Sequence, residues 1–147
     1  MQPEGSGIVM MFPCRSASHA RRVTLARSVV RLELHACSTA GATWALAFAD
    51  LEDPALIGPA MDELRAAAAA NLGASSIREE ALQVPGATPN PASRRVDLRG
   101  RAPDGRKLEE HVAVFSKGLR IYQATVLGEH LEPEAAGTFF AGLRLVP

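Results

Sequence analysis

Histidine, cysteine and paired carboxylates are the usual raw material of a reaction centre. This chain of 147 residues holds His19, His35, His111 and His130 and two cysteines, Cys14 and Cys37. Metal chemistry needs ligands at fixed spacings, and no histidine pair lies in an HExxH arrangement. The cysteines have neither CxxC spacing nor companion histidines, which argues against zinc. Glu109 and His111 would share one face of a strand and polarise each other, but side chains at i and i+2 sit about 7 Å apart, which strains a direct bond. His35 falls at an outward position of an alternating run and reads as a solvated surface histidine; His19 and His130 fall in loops or at strand ends. Gly5-Ser6-Gly7 lacks the Lys-Ser or Lys-Thr that completes a phosphate loop, and neither GxSxG nor a dinucleotide fingerprint occurs. No catalytic, cofactor-binding or metal-binding residue is therefore expected, and the reading leans against an enzyme.

Arginine is the one chemical theme above background. Arg94, Arg95, Arg99, Arg101, Arg106 and Lys107 crowd into one short segment, tempered by Asp97 and Asp104. Arg15, Arg21, Arg22, Arg27 and Arg31 form a second run. If the strands carrying them are neighbours, Arg95, Arg99, Arg101 and Arg106 belong to an interaction face suited to a carboxylate-rich or phosphate-bearing partner. The plainer alternative is the solvated side of an antiparallel sheet. Nucleic acid is not the expected partner, because few aromatics interleave and RNA-reading motifs are absent. Sixteen basic side chains balance sixteen acidic ones, so no net field pulls the molecule toward an anionic surface. The acidic stretch from Asp50 through Asp62 and Glu63 to Glu79 and Glu80 would make the molecule dipolar and steer a protein partner or a second copy.

These residues need a scaffold, and the hydrophobic patterning supplies one. The length fits a single domain, 1–147, with a flexible N-terminus over about 1–7. Ile8 to Phe12 reads as a short strand closed by Pro13, Arg22 to Leu25 as a second, and Val29 to Ala36 as a strand with one wet face. Thr43 to Ala49 is apolar on both faces, which places it in the middle of a covered sheet. A long helix over about 59–72 follows from Pro59, the spacing of Met61, Leu64, Ala68 and Leu72, and the stop at Gly73. Ile77 to Val84 is the next strand, then a stiff connector built on Pro85, Gly86, Pro89 and Pro91. Ala92 to Gly100 and Lys107 to Phe115 form a hairpin about Pro103-Asp104-Gly105. Leu119 to Leu127 is the last long strand, a short helix covers about 133–141, and Leu143 to Val146 closes the chain. The expected class is α+β, with helices covering a mostly antiparallel sheet of about six to seven strands.

Phe12-Pro13, the run from Trp44 to Leu51, Asn71-Leu72-Gly73, Leu119 to Gln123 and Phe139 to Leu143 together resemble the PsbP-like superfamily, which holds exported bacterial proteins of unknown role. The resemblance implies an α/β/α sandwich around an antiparallel sheet and a non-enzymatic binding or assembly role. It carries no functional residue across, because the matching segments are packing residues. The Ala87 to Pro91 insertion departs from the family pattern.

The functional expectation is a bacterial protein-interaction or assembly module with a protein partner, no cofactor and no nucleic acid. A homodimer is an open alternative. The competing reading is a small-molecule binder or small enzyme with a cavity near Trp44 and Tyr122. No stretch reaches the roughly 20 apolar residues of a membrane-spanning helix. The compartment is expected to be periplasmic, or the protein otherwise exported, if an N-terminal signal has been trimmed, and cytoplasmic if not. Cys14 and Cys37 either form one disulfide in an exported protein, worth about 3 kcal/mol in the loop-closure model, or remain free thiols in or near strands, the plainer reading.

Overall fold

The computed structural model describes residues 5–73 and 75–147. Nine strands and two helices follow one another among them: β1 (Ile8–Val9), β2 (Ala17–Leu25), β3 (Ser28–Thr39), β4 (Ala42–Asp50), α1 (Ile57–Leu72), β5 (Ser75–Ala81), β6 (Arg94–Arg101), β7 (Lys107–Lys117), β8 (Arg120–Gly128), α2 (Pro133–Ala141) and β9 (Arg144–Leu145). Seven strands make one antiparallel sheet in the order β2-β3-β4-β8-β7-β6-β5, and β1 pairs with β9 apart from it. The chain lays down three strands, crosses one face of the sheet as α1 to the far edge, and meanders back until β8 pairs with β4. The architecture is α+β, with a helix on each face of the sheet.

The doubly apolar strand occupies the centre, as its sequence demands. Trp44, Leu46 and Phe48 of β4 enter a core beneath α2 that also holds Phe115, Tyr122, Phe139 and Leu143. Ala49 faces the opposite core, where Ile57, Met61, Leu64 and Leu72 of α1 meet Val96, Leu98, Val112, Val114 and Ile121. Each fully buried side chain of this size contributes about 1.5–3 kcal/mol by leaving water.

α1 begins two residues before the expected start. A single 3-10 turn, Pro54–Leu56, leads into it, and the Asp53 side chain caps that turn by accepting from the Ala55 N–H at 2.9 Å. Gly73 ends the helix with φ 56°, the left-handed conformation that only glycine adopts at little cost. The last turn then lies on β6 so closely that a Cβ at Gly100 would sit 2.3 Å from the Leu72 carbonyl oxygen.

Several expectations need correction. The first strand is only Ile8–Val9; Met10 instead turns into the core and Phe12 packs on Phe139. The terminus is not free at residues 6 and 7: Ser6 is fully buried, and the Tyr122 hydroxyl donates to its carbonyl at 2.6 Å. Residues 1–4 lie outside the described residues. The second strand starts at Ala17, five residues earlier than its polar sequence suggests, because an edge strand needs little apolar content. Val84 belongs to the connector after β5 and is buried in the α2-side core. Cys14 and Cys37 are joined, with Cα atoms 5.9 Å apart, so the plainer free-thiol reading is overturned. The bond fastens the segment after β1 to β3.

Candidate functional site

The two arginine runs do not form one face. β2 and β3 stand at one edge of the sheet, and β4 and β8 separate them from β7 and β6. The run on β6 is itself divided by strand alternation. Arg94 faces α1 and bonds Glu79, which also pairs with Arg65 of that helix. The acidic stretch is likewise neutralised piecemeal, by Arg120 on Asp50, Arg65 on Asp62 and the Ala26 N–H on Glu63. Glu80 pairs with Arg78, so the expected acidic pole does not form.

Arg95, Asp97, Arg99 and Arg101 share the α2 side of the sheet, yet their fates differ. Arg95 lies under α2 with its guanidinium 4.6 Å from the Phe140 ring centre and only about a fifth of its side chain exposed. Its Nε reaches Asp97 at 3.3 Å and its Nη2 donates to His111 Nδ1 at 3.2 Å. Accepting at Nδ1 requires the neutral ring to carry its proton on Nε2. Burial holds His111 below its ordinary value; Asp97 opposes this, Arg95 reinforces it, and Glu109 opposes it again. Arg95 is thus part of an internal cluster rather than an interaction surface. Arg106 is also engaged: it bonds Asp104 at 2.7 Å across its turn and Glu129 at 3.1 Å. The Arg106 N–H and guanidinium hold Asp104 below the usual carboxylate range.

Arg99 and Arg101 do come together. They line a cleft of about 730 Å³ at the turn end of the β6–β7 hairpin, with Lys107, Glu109, Glu129 and His130 around it and Leu72 and Leu108 among its apolar walls. Register places Arg99 directly across from Glu109 and Arg101 directly across from Lys107. Arg101 donates to the Gly105 carbonyl at 3.0 Å, a contact that leaves its charge uncompensated. Neither Arg99 nor Lys107 forms an ion pair among the described residues. Like charges opposed on a strand pair are unfavourable, and an anion between them removes the penalty. Leu72 and Glu129 were not legible as part of this cleft; the glycine inside β6 was the available signal, since a strand glycine marks close approach by another backbone.

The remaining histidines divide. His19 and His130 are exposed as expected. His35 is buried, 7% exposed, stacked on Phe48 at 5.9 Å and 3.5 Å from Glu33, because the supposedly wet face of its strand is covered as well. Glu109 and His111 do not bond each other. Trp44 and Tyr122 do not wall one cavity: Tyr122 stacks on Phe115 at 5.1 Å, while Trp44 meets Phe139 edge-on at 5.2 Å. A hollow of about 260 Å³ touches Trp44 from the side of Leu131 and Ala135, with Tyr122 elsewhere in the core. Among the described residues, no three His, Cys, Asp or Glu side chains gather as metal ligands, and no helix is long and apolar enough to cross a membrane. No family model matches the chain, and no curated protein matches it.

Proposed function

We propose that the chain is a non-enzymatic protein-interaction module whose cleft at the β6–β7 hairpin receives an acidic segment of a protein partner. The observation that carries this reading is the opposition of Arg101 and Lys107 beside Arg99, three cations around one concavity. Guanidinium groups bind carboxylates with two parallel hydrogen bonds, and Leu72 and Leu108 offer apolar contact to the neighbouring atoms of an acidic side chain. Glu129 is already paired with Arg106, and Arg99, Arg101 and Lys107 outnumber Glu109, so the cleft selects against cationic segments. The disulfide supports an oxidising compartment, where such bonds persist.

A fluorescein-labelled peptide of alternating Glu and Leu, read by anisotropy, tests the reading. Arg99→Glu with Arg101→Glu is expected to weaken binding at least tenfold, and Arg22→Glu at the far edge of the sheet to leave it unchanged. Equal loss in both variants would reduce the effect to net charge and remove the cleft.

A further inference from the structure

A second concavity lies outside that cleft, at the opposite end of β6. The connector between β5 and β6 encloses about 620 Å³ with Leu82, Val84, Pro85, Ala87, Pro89 and Ser93 among its walls. Ligand cavities commonly span about 300–1,000 Å³ and are mostly apolar with a few fixed polar groups. The connector is tied down rather than loose. Thr88 donates its N–H to the Ser116 carbonyl at 2.8 Å and accepts from the Gly118 N–H on its hydroxyl at 3.0 Å. Leu145 donates to the Pro85 carbonyl at 2.9 Å, and Asn90 accepts from the Ala92 N–H through its side chain at 2.8 Å. Gly86, at φ 87°, lies so close to the Leu145 carbonyl that a side chain there would collide with it. The cavity is thereby held open in advance of any occupant.

The polar inventory narrows what the occupant can be. Prolines 85, 89 and 91 bring no N–H donors. Thr88 and Asn90 already accept bonds on their side-chain oxygens inside the loop, the Arg94 Nε is committed to Glu79, and Gln83 is an exposed side chain that water already solvates. Ser93 is 7% exposed, and its hydroxyl has no hydrogen-bond partner among the described residues. A buried hydroxyl without a partner is costly, and this one forms part of the cavity wall. We infer that the cavity is a binding site for a neutral, largely apolar small molecule carrying one hydroxyl, which pairs with Ser93. A charged ligand is disfavoured, because Arg94, the charged side chain on the wall, is ion-paired with Glu79. The site is separate from the acidic-segment cleft and stands or falls independently of it.

Phenol and toluene serve as probes of similar shape, with and without the hydroxyl, followed through backbone amide chemical shifts. Phenol is expected to produce saturable shifts confined to residues 82–93 and to bind about tenfold more tightly than toluene. Ser93→Ala brings phenol to the affinity of toluene and leaves toluene unaffected; Ala87→Phe, which retains Ser93 and fills the space, abolishes both. Absence of saturable shifts in residues 82–93, equal affinities in the parent protein, or an undiminished preference for phenol in Ser93→Ala would each overturn the assignment.

Discussion

Replacing Glu110 by Gln should make the protein more stable at pH 8 while changing little at pH 4.5. Glu110 lies on β7 facing α1, with Leu98 and Leu127 as its cross-strand neighbours and Leu108 and Val112 flanking it on the same face. No cation pairs with it among the described residues, and burial pushes its carboxyl up from 4.5 to about 7. Below pH 4.5 the folded and unfolded chains both hold the proton. Between 4.5 and about 7 the unfolded chain has released it and the folded chain has not, so stability falls as pH rises; above 7 both are ionised and the slope vanishes. At about 1.4 kcal/mol per pH unit, full conversion gives roughly 3 kcal/mol. The carboxyl is not wholly enclosed, and solvent screening reduces this to about 1–2 kcal/mol. Gln keeps the shape and removes the charge. Urea unfolding followed by the single tryptophan, Trp44, at pH 4.5 and pH 8 gives the difference directly. Other titrating groups, including His111 and Asp50, act equally in parent and variant and cancel. A difference that does not change with pH, or a variant less stable than the parent at pH 8, would refute the reasoning.

Three further perturbations probe the scaffold. The β2–β3 turn places Ala26 and Arg27 at φ 48° and 67°, a conformation costly for residues with a Cβ, so Arg27→Gly should raise stability by about 1 kcal/mol in thermal unfolding. Gly100→Ala should lower stability by about 2 kcal/mol or more, because the last turn of α1 must lift from β6, with the loss read by the same unfolding assay. Reduction of the Cys14–Cys37 bond removes a loop closure worth about 3 kcal/mol and should lower the thermal midpoint by several degrees; an unchanged midpoint under reductant would mean the bond contributes nothing.

Much of the scaffold could be read because its signals are local. Trp44, Leu46 and Phe48 against Ala45, Ala47 and Ala49 announced a central strand, Pro103-Asp104-Gly105 a hairpin, and Pro133 the start of α2, and each element forms there. What escaped depends on contacts between distant segments. The alternation of β3 showed one apolar face, but whether the other is wet depends on what covers it, and His35 and Cys37 turned out buried. Arg95 and Arg99 are identical in type and equivalent in strand phase; only the position of Phe140 on α2 sends one under the helix and leaves the other at the cleft. Strand order had the same character. Nothing near Arg22 or Arg99 reveals that α1 carries the chain across the sheet and parts the two arginine runs.

The functional account rests on three cations meeting at the end of one hairpin. Chemical-shift mapping with hexaglutamate, at low salt and again at 0.5 M salt, tests it most directly. The account predicts saturable shifts centred on residues 99–108 and 129–130 that shrink with salt. Shifts centred instead on the β2–β3 edge around Arg22 and Arg31, or none at either salt concentration, would contradict it.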